Sequence, residues 1–138
     1  MRKNIVGLIG ASFLALSMAG CSHDNATAAQ RAAAAWLKLV DSGNYAQSWE
    51  EAAAIMKASV AKDQWQAILQ ANRAPLGALL SRKLTSAEST TELPGAPPGQ
   101  YVVLEYASRF EHRNNAIETA TSTLDKDGQW RVSLYVIK

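Results

Sequence analysis

The chain has 138 residues, 48% apolar and 19% charged, a balance that suits a packed globular domain and excludes a disordered tail. The formal net charge is +2. Arg2 and Lys3 account for it, because Met1 to Gly20 hold no Asp or Glu, and the neutral remainder excludes a basic nucleic-acid binder.

Arg2 and Lys3 precede an uncharged run from Ile5 to Ala19. It is shorter than the roughly 20 apolar residues of a membrane-spanning helix and fits the apolar region of a signal peptide. The run closes on Met18-Ala19-Gly20-Cys21. That ending resembles the lipobox of bacterial lipoproteins: an apolar residue, two small ones, then a cysteine whose thiol accepts diacylglycerol. Cys21 is the chain's single cysteine, so it has no intrachain disulfide partner and forms no Cys-rich metal site. On this reading residues 1–20 are a signal peptide, Cys21 is lipidated and residues 21–26 form a short tether. Each buried CH₂ adds about 0.8 kcal/mol, so two or three acyl chains anchor stably where one does not. Ser22 in place of Asp after the cysteine directs the expectation to the outer membrane, with the domain facing the periplasm.

Three helical stretches follow. Thr27 and Gln30 have the spacing of a capping box. Ala33, Trp36, Leu37 and Val40 recur on one helical face, and Gly43 is a natural stop. Tyr45, Trp49, Ala52, Ala53 and Met56 repeat that spacing in a second helix. Ser59 is placed to cap a third, where Ala61, Trp65, Ile68 and Leu69 share a face before Pro75.

The period then changes. Leu80, Arg82 and Leu84 alternate in a first strand over about 77–89. Leu93-Pro-Gly-Ala-Pro-Pro-Gly99 reads as a stiff loop. A second strand over about 100–111 sets Val102, Leu104, Tyr106 and Phe110 on one face, with Tyr101, Val103, Glu105 and Arg109 on the other. A turn at Arg113-Asn114 leads into a third strand, Ala116 to Leu124. Asp125-Lys126-Asp127-Gly128 is a hairpin signal before a fourth strand carrying Trp130, Val132, Leu134 and Val136. Helices followed by strands mean α+β. The expectation is one domain over 27–138, with three N-terminal helices packed on a curved four-stranded antiparallel sheet. That element order is shared with cystatin-like and NTF2-like folds.

Trp65, Pro75-Leu76-Gly77, Ser81-Arg82, the loop from Leu93, Tyr101-Val-Val, Tyr106, Phe110, Glu118 and the Asp127-Gly-Gln-Trp-Arg-Val ending together resemble a family of small exported bacterial proteins. The family is known as domain of unknown function number four thousand and nineteen. The resemblance covers about Ala26 to Lys138. It implies export and one small α+β domain, and it supplies no catalytic residue.

Catalytic sequence motifs are absent: the chain has no Gly-rich phosphate loop, no His-Glu-x-x-His and no Gly-x-Ser-x-Gly. Its two histidines, His23 in the tether and His112 near a turn, are too far apart to suggest a metal site, and no cofactor is expected. With the turn at Arg113-Asn114, Arg109 faces Glu118 and Glu105 faces Ser122 on the solvent side of the sheet. The plain reading is an exposed cross-strand ion pair worth about 0.2–1 kcal/mol. The sharper one is a polar groove in which Glu105, Arg109, Glu118 and Tyr101 bind a ligand. Trp36, Trp49, Trp65 and Trp130 lie on apolar faces and are expected in the core. The function these residues point to is a non-enzymatic, lipid-anchored periplasmic interaction module. Its expected partners are the membrane, through Cys21, and an envelope protein, with no nucleic acid and no metal. The alternative is an NTF2-like pocket that binds or transforms a small molecule through the polar sheet face.

Overall fold

The computed structural model describes residues 20–138, with side chains from His23 onward. Residues 1–19 of the segment expected as a signal peptide, and the Cys21 side chain, lie outside the described residues. Four α-helices come first: α1 (Gly20–Asp41), α2 (Tyr45–Glu50), α3 (Ala54–Ser59) and α4 (Lys62–Asn72). A single 3-10 turn, Ala74–Leu76, leads into the strands β1 (Leu79–Thr90), β2 (Tyr101–Phe110), β3 (Arg113–Leu124) and β4 (Trp130–Ile137). The strands form one antiparallel sheet in the order β1-β2-β3-β4.

Three helices were expected and four are present among the described residues, for a local reason. The second predicted helix breaks after Glu50 because Ala53 adopts an extended conformation and donates its N–H to the carbonyl of Val132 in β4 at 2.8 Å. That bond ties the α2–α3 junction to the sheet edge. Ser59 does not cap the next helix: its hydroxyl donates back to Ile55, and α4 begins at Lys62. The residues 21–26 expected as a tether are helical within α1. The Thr27 hydroxyl, expected to cap a helix start, donates instead to His23 one turn earlier.

The apolar stripe of α1 (Ala33, Trp36, Leu37, Val40) shares one buried cluster with Trp65 and Leu69 of α4 and with Val102, Leu104 and Tyr106 of β2. Trp36 donates its indole N–H to the Ser48 carbonyl at 2.7 Å, and Trp65 donates to the Ser48 hydroxyl at 3.0 Å. Two large aromatic groups are thereby buried with their polar atoms paired. Trp49 and Trp130, also expected in the core, are only partly buried against it.

The sheet register departs from the expected one. The β2–β3 turn is Glu111-His112, with an irregularity beside Arg109, so Tyr106 and not Arg109 stands opposite Glu118. The slip is three positions. Because side chains alternate faces, an odd slip moves Glu118 to the helix side. The turn is fixed from behind: Glu111 and His112 donate their backbone N–H groups to Ala78 and Leu76 at 3.0 Å each.

Candidate functional site

The four residues expected to gather on the solvent face do not meet. Glu105 and Arg109 are exposed on the face away from the helices, and Arg109 stands opposite Ser81. Tyr101 is buried on that same face beneath the Leu93–Gly99 loop, and its hydroxyl donates to the Pro97 carbonyl at 2.6 Å. Glu118 is fully buried on the opposite face, at 0% exposure. His112 is exposed at the turn, 4.0 Å from Glu111.

Glu118 anchors a different cluster. Arg82 of β1 donates to it twice, from Nε at 2.6 Å and from Nη2 at 2.9 Å. Tyr135 donates its hydroxyl at 2.5 Å, and Ser108 donates another. Arg82 also grips Asp41, at the end of α1, through Nη1 at 2.7 Å and Nη2 at 3.0 Å. Arg73 adds a 3.2 Å contact to Asp41, donates to the Gly77 carbonyl at 2.7 Å and lies 4.4 Å from the centre of the Phe110 ring. Two guanidinium groups and two carboxylates thus sit between α1 and the sheet with their charges balanced. Asp41 ends a helix, where the dipole opposes a carboxylate, and the two arginines offset that cost.

Burial lowers the pKa of Arg82, but its hydrogen bonds to Asp41 and Glu118 outweigh burial and hold it above the usual arginine value. Burial, then the charge of Glu118, push the Tyr135 phenol well above its ordinary range. Both groups are locked in their ordinary protonation states, unsuited to moving protons near neutral pH. The cluster clamps the end of α1 to the sheet.

The sequence reading missed Asp41, Arg73, Ser108 and Tyr135 as members of this cluster. One signal was present, since Arg82 alternates with Leu84 toward the helices, and a charge in an inward row implies a counter-charge.

A concavity of about 750 Å³ is lined in part by Glu50, Lys57, Asp125, Asp127 and Arg131, and the most apolar of the open concavities lies elsewhere. It is a groove of about 490 Å³ that runs between α3–α4 and the Leu93–Ala96 loop along β4. Met56, Val60, Trp65, Leu93 and Leu134 are among its walls, and none of its lining residues is charged. Ile68 and Leu134 stand at its rim, 40% and 51% exposed. Such a site recognises shape and apolar surface. Among the described residues no cluster of three His, Cys, Asp or Glu could hold a metal ion. No helix among them is long and apolar enough to cross a membrane.

An α+β domain with one charge cluster buried between α1 and the sheet and an uncharged groove at one sheet edge is the class these features define. The chain belongs to a family described as a protein of unknown function (DUF4019), which matches residues 32–135. No curated protein and no solved structure matches it.

Proposed function

We propose that this protein is a lipid-anchored interaction module of the bacterial cell envelope, held by acyl chains on Cys21 and facing the periplasm from the outer membrane. Its fold is cystatin-like or NTF2-like, with the helices covering one face of the sheet. Its binding surface is the β4 groove and not the polar sheet face. The observation that carries this reading is the split between the two halves of the molecule. The ionisable cluster is closed and its charges are paired, with only the Arg73 Nε lacking a partner, while the β4 groove is open and uncharged.

Anchoring is tested by Cys21→Ser: membrane fractionation and the mass of the N-terminal peptide should show loss of acylation and of membrane retention. Wild-type protein carrying a free Cys21 thiol would remove the anchor from the proposal. The groove is tested by photo-crosslinking residues placed in cells at Ile68, Leu134, Glu105 or Arg109. Protein adducts should form from Ile68 and Leu134. Adducts confined to Glu105 and Arg109 would favour the ligand-binding polar face instead.

A further inference from the structure

The two edges of the sheet are unlike. β1 is interrupted by two register irregularities, between Leu79 and Ser81 and between Leu84 and Ser86, and it carries Lys83 and Glu88. Bulges and charges are the ordinary defences of an edge strand. β4 has a single irregularity, at Ser133, and beyond it Leu134-Tyr-Val-Ile137 pairs regularly with β3 and carries no charge. Its early part is occupied, because Val132 accepts from Ala53.

The direction of each backbone group in the open part follows from one pair. Ile117 and Lys138 exchange both backbone hydrogen bonds at 2.9 Å. The alternation of an antiparallel ladder then turns Val136 and Leu134 toward β3, and turns Tyr135 and Ile137 outward. Among the described residues, no backbone group from elsewhere reaches the outward groups of these two. Leu134 and Val136 are 51% and 36% exposed beside them.

We propose that the β4 edge pairs antiparallel with β4 of a second copy of this chain, joining two sheets into one of eight strands. The inference rests on the reading of this edge as the interaction surface and names its occupant. A strand laid here meets apolar groups on both sides, Ile68 and Val60 on the helix side and Leu93 and Leu134 on the other. It must therefore lack charge on the row that faces the helices, and Tyr135 and Ile137 of a second copy form such a row. The register follows from the outward residues. Tyr135 of each copy pairs with Ile137 of the other, giving four backbone hydrogen bonds about a two-fold axis at Val136. In that register Lys138 falls opposite Leu134, so no like charges face each other. The assembly closes at two copies because only the defended β1 edges remain outside.

The register has a direct test. The two Val136 residues form a non-hydrogen-bonded pair with Cα atoms roughly 4.5 Å apart, within the span of a disulfide. Full-length Val136→Cys, oxidised in its membrane, should give a reducible homodimer above the wild-type level, which accounts for any contribution from Cys21. Leu134→Cys should stay at that level. The double variant Leu134→Cys/Lys138→Cys fills the other facing pair and should cross-link, although neither single change does. Adding Val136→Lys to it should abolish the product by placing two like charges face to face. Equal cross-linking from Leu134→Cys and Val136→Cys would overturn the register. Absence of homodimer from both Val136→Cys and the double variant would overturn the second copy. If Ile68 and Leu134 nonetheless yielded photo-adducts with another protein, the interaction surface would stand and its occupant would be different.

Discussion

Removing Arg82 should destabilise the protein through Glu118. Glu118 has no solvent access, and Arg82→Ala would leave its carboxylate with only the Ser108 and Tyr135 hydroxyls. Breaking a buried pair from one side costs about 3–5 kcal/mol, because the surviving charge is stranded. Glu118→Ala should cost less, near the lower end of that range. Arg82 would keep its two bonds to Asp41, and its side chain retains 13% exposure through which water can reach it. The double variant strands neither partner of the pair, so the two single costs should not add. The expected coupling is about 2–3 kcal/mol, the upper part of what contacting residues show. The loss of Asp41 contacts occurs with and without Glu118 and cancels in the cycle. Urea unfolding followed by tryptophan fluorescence measures it without adding salt. Repeating the cycle in 1 M NaCl, where the screening length is about 3 Å, should leave the coupling nearly unchanged. A coupling under about 1 kcal/mol that fades in salt would mean that the pair is as solvated as a surface pair, and would refute the account of the cluster as a buried clamp.

Other substitutions separate core from surface. Glu105→Ala and Arg109→Ala should each change stability by no more than about 0.5 kcal/mol in the same urea assay, since both are exposed. Trp36→Ala should cost about 3–5 kcal/mol, and Trp130→Ala clearly less because it is only partly buried; equal losses would contradict that ranking. Gly77→Ala should lower the melting temperature more than Gly43→Ala. Both have positive φ, but only at Gly77 would a new Cβ come within 3.0 Å of Glu111 and His112. The Arg131 hydrogen bond holds the Asp127 carboxyl at about 2, below the 3.8 of a free aspartate. Its contribution to stability is thus present above about 4 and is lost as pH falls toward 2. An NMR titration should show the low midpoint in wild type and its return toward the ordinary value in Arg131→Ala.

Much of the fold was legible because apolar spacing reports burial directly. The stripe Ala33, Trp36, Leu37, Val40 and the row Val102, Leu104, Tyr106, Phe110 both face the core as their periods require. The four-stranded antiparallel order followed from the turn residues between strands. Glu118 was not legible, and β3 shows why. Its inward row is Ala116, Glu118, Ala120 and Ser122, while Ile117 on its outward row is 52% exposed. The hydropathy of that strand runs opposite to its burial, so alternation alone assigns the wrong face. Small residues occupy the inward row because the bulk between α1 and the sheet comes from Trp36, Tyr135 and the Arg82 guanidinium, and Glu118 is admitted only because Arg82 and Tyr135 arrive from other strands to pair with it. A charged residue in a strand is therefore placed by its partners and not by its own period. The same dependence explains the groove. Its walls come from α3, α4, β4 and the loop at Leu93, segments that carry no shared motif and become one surface only when the α2–α3 junction pairs Ala53 with Val132 at the sheet edge.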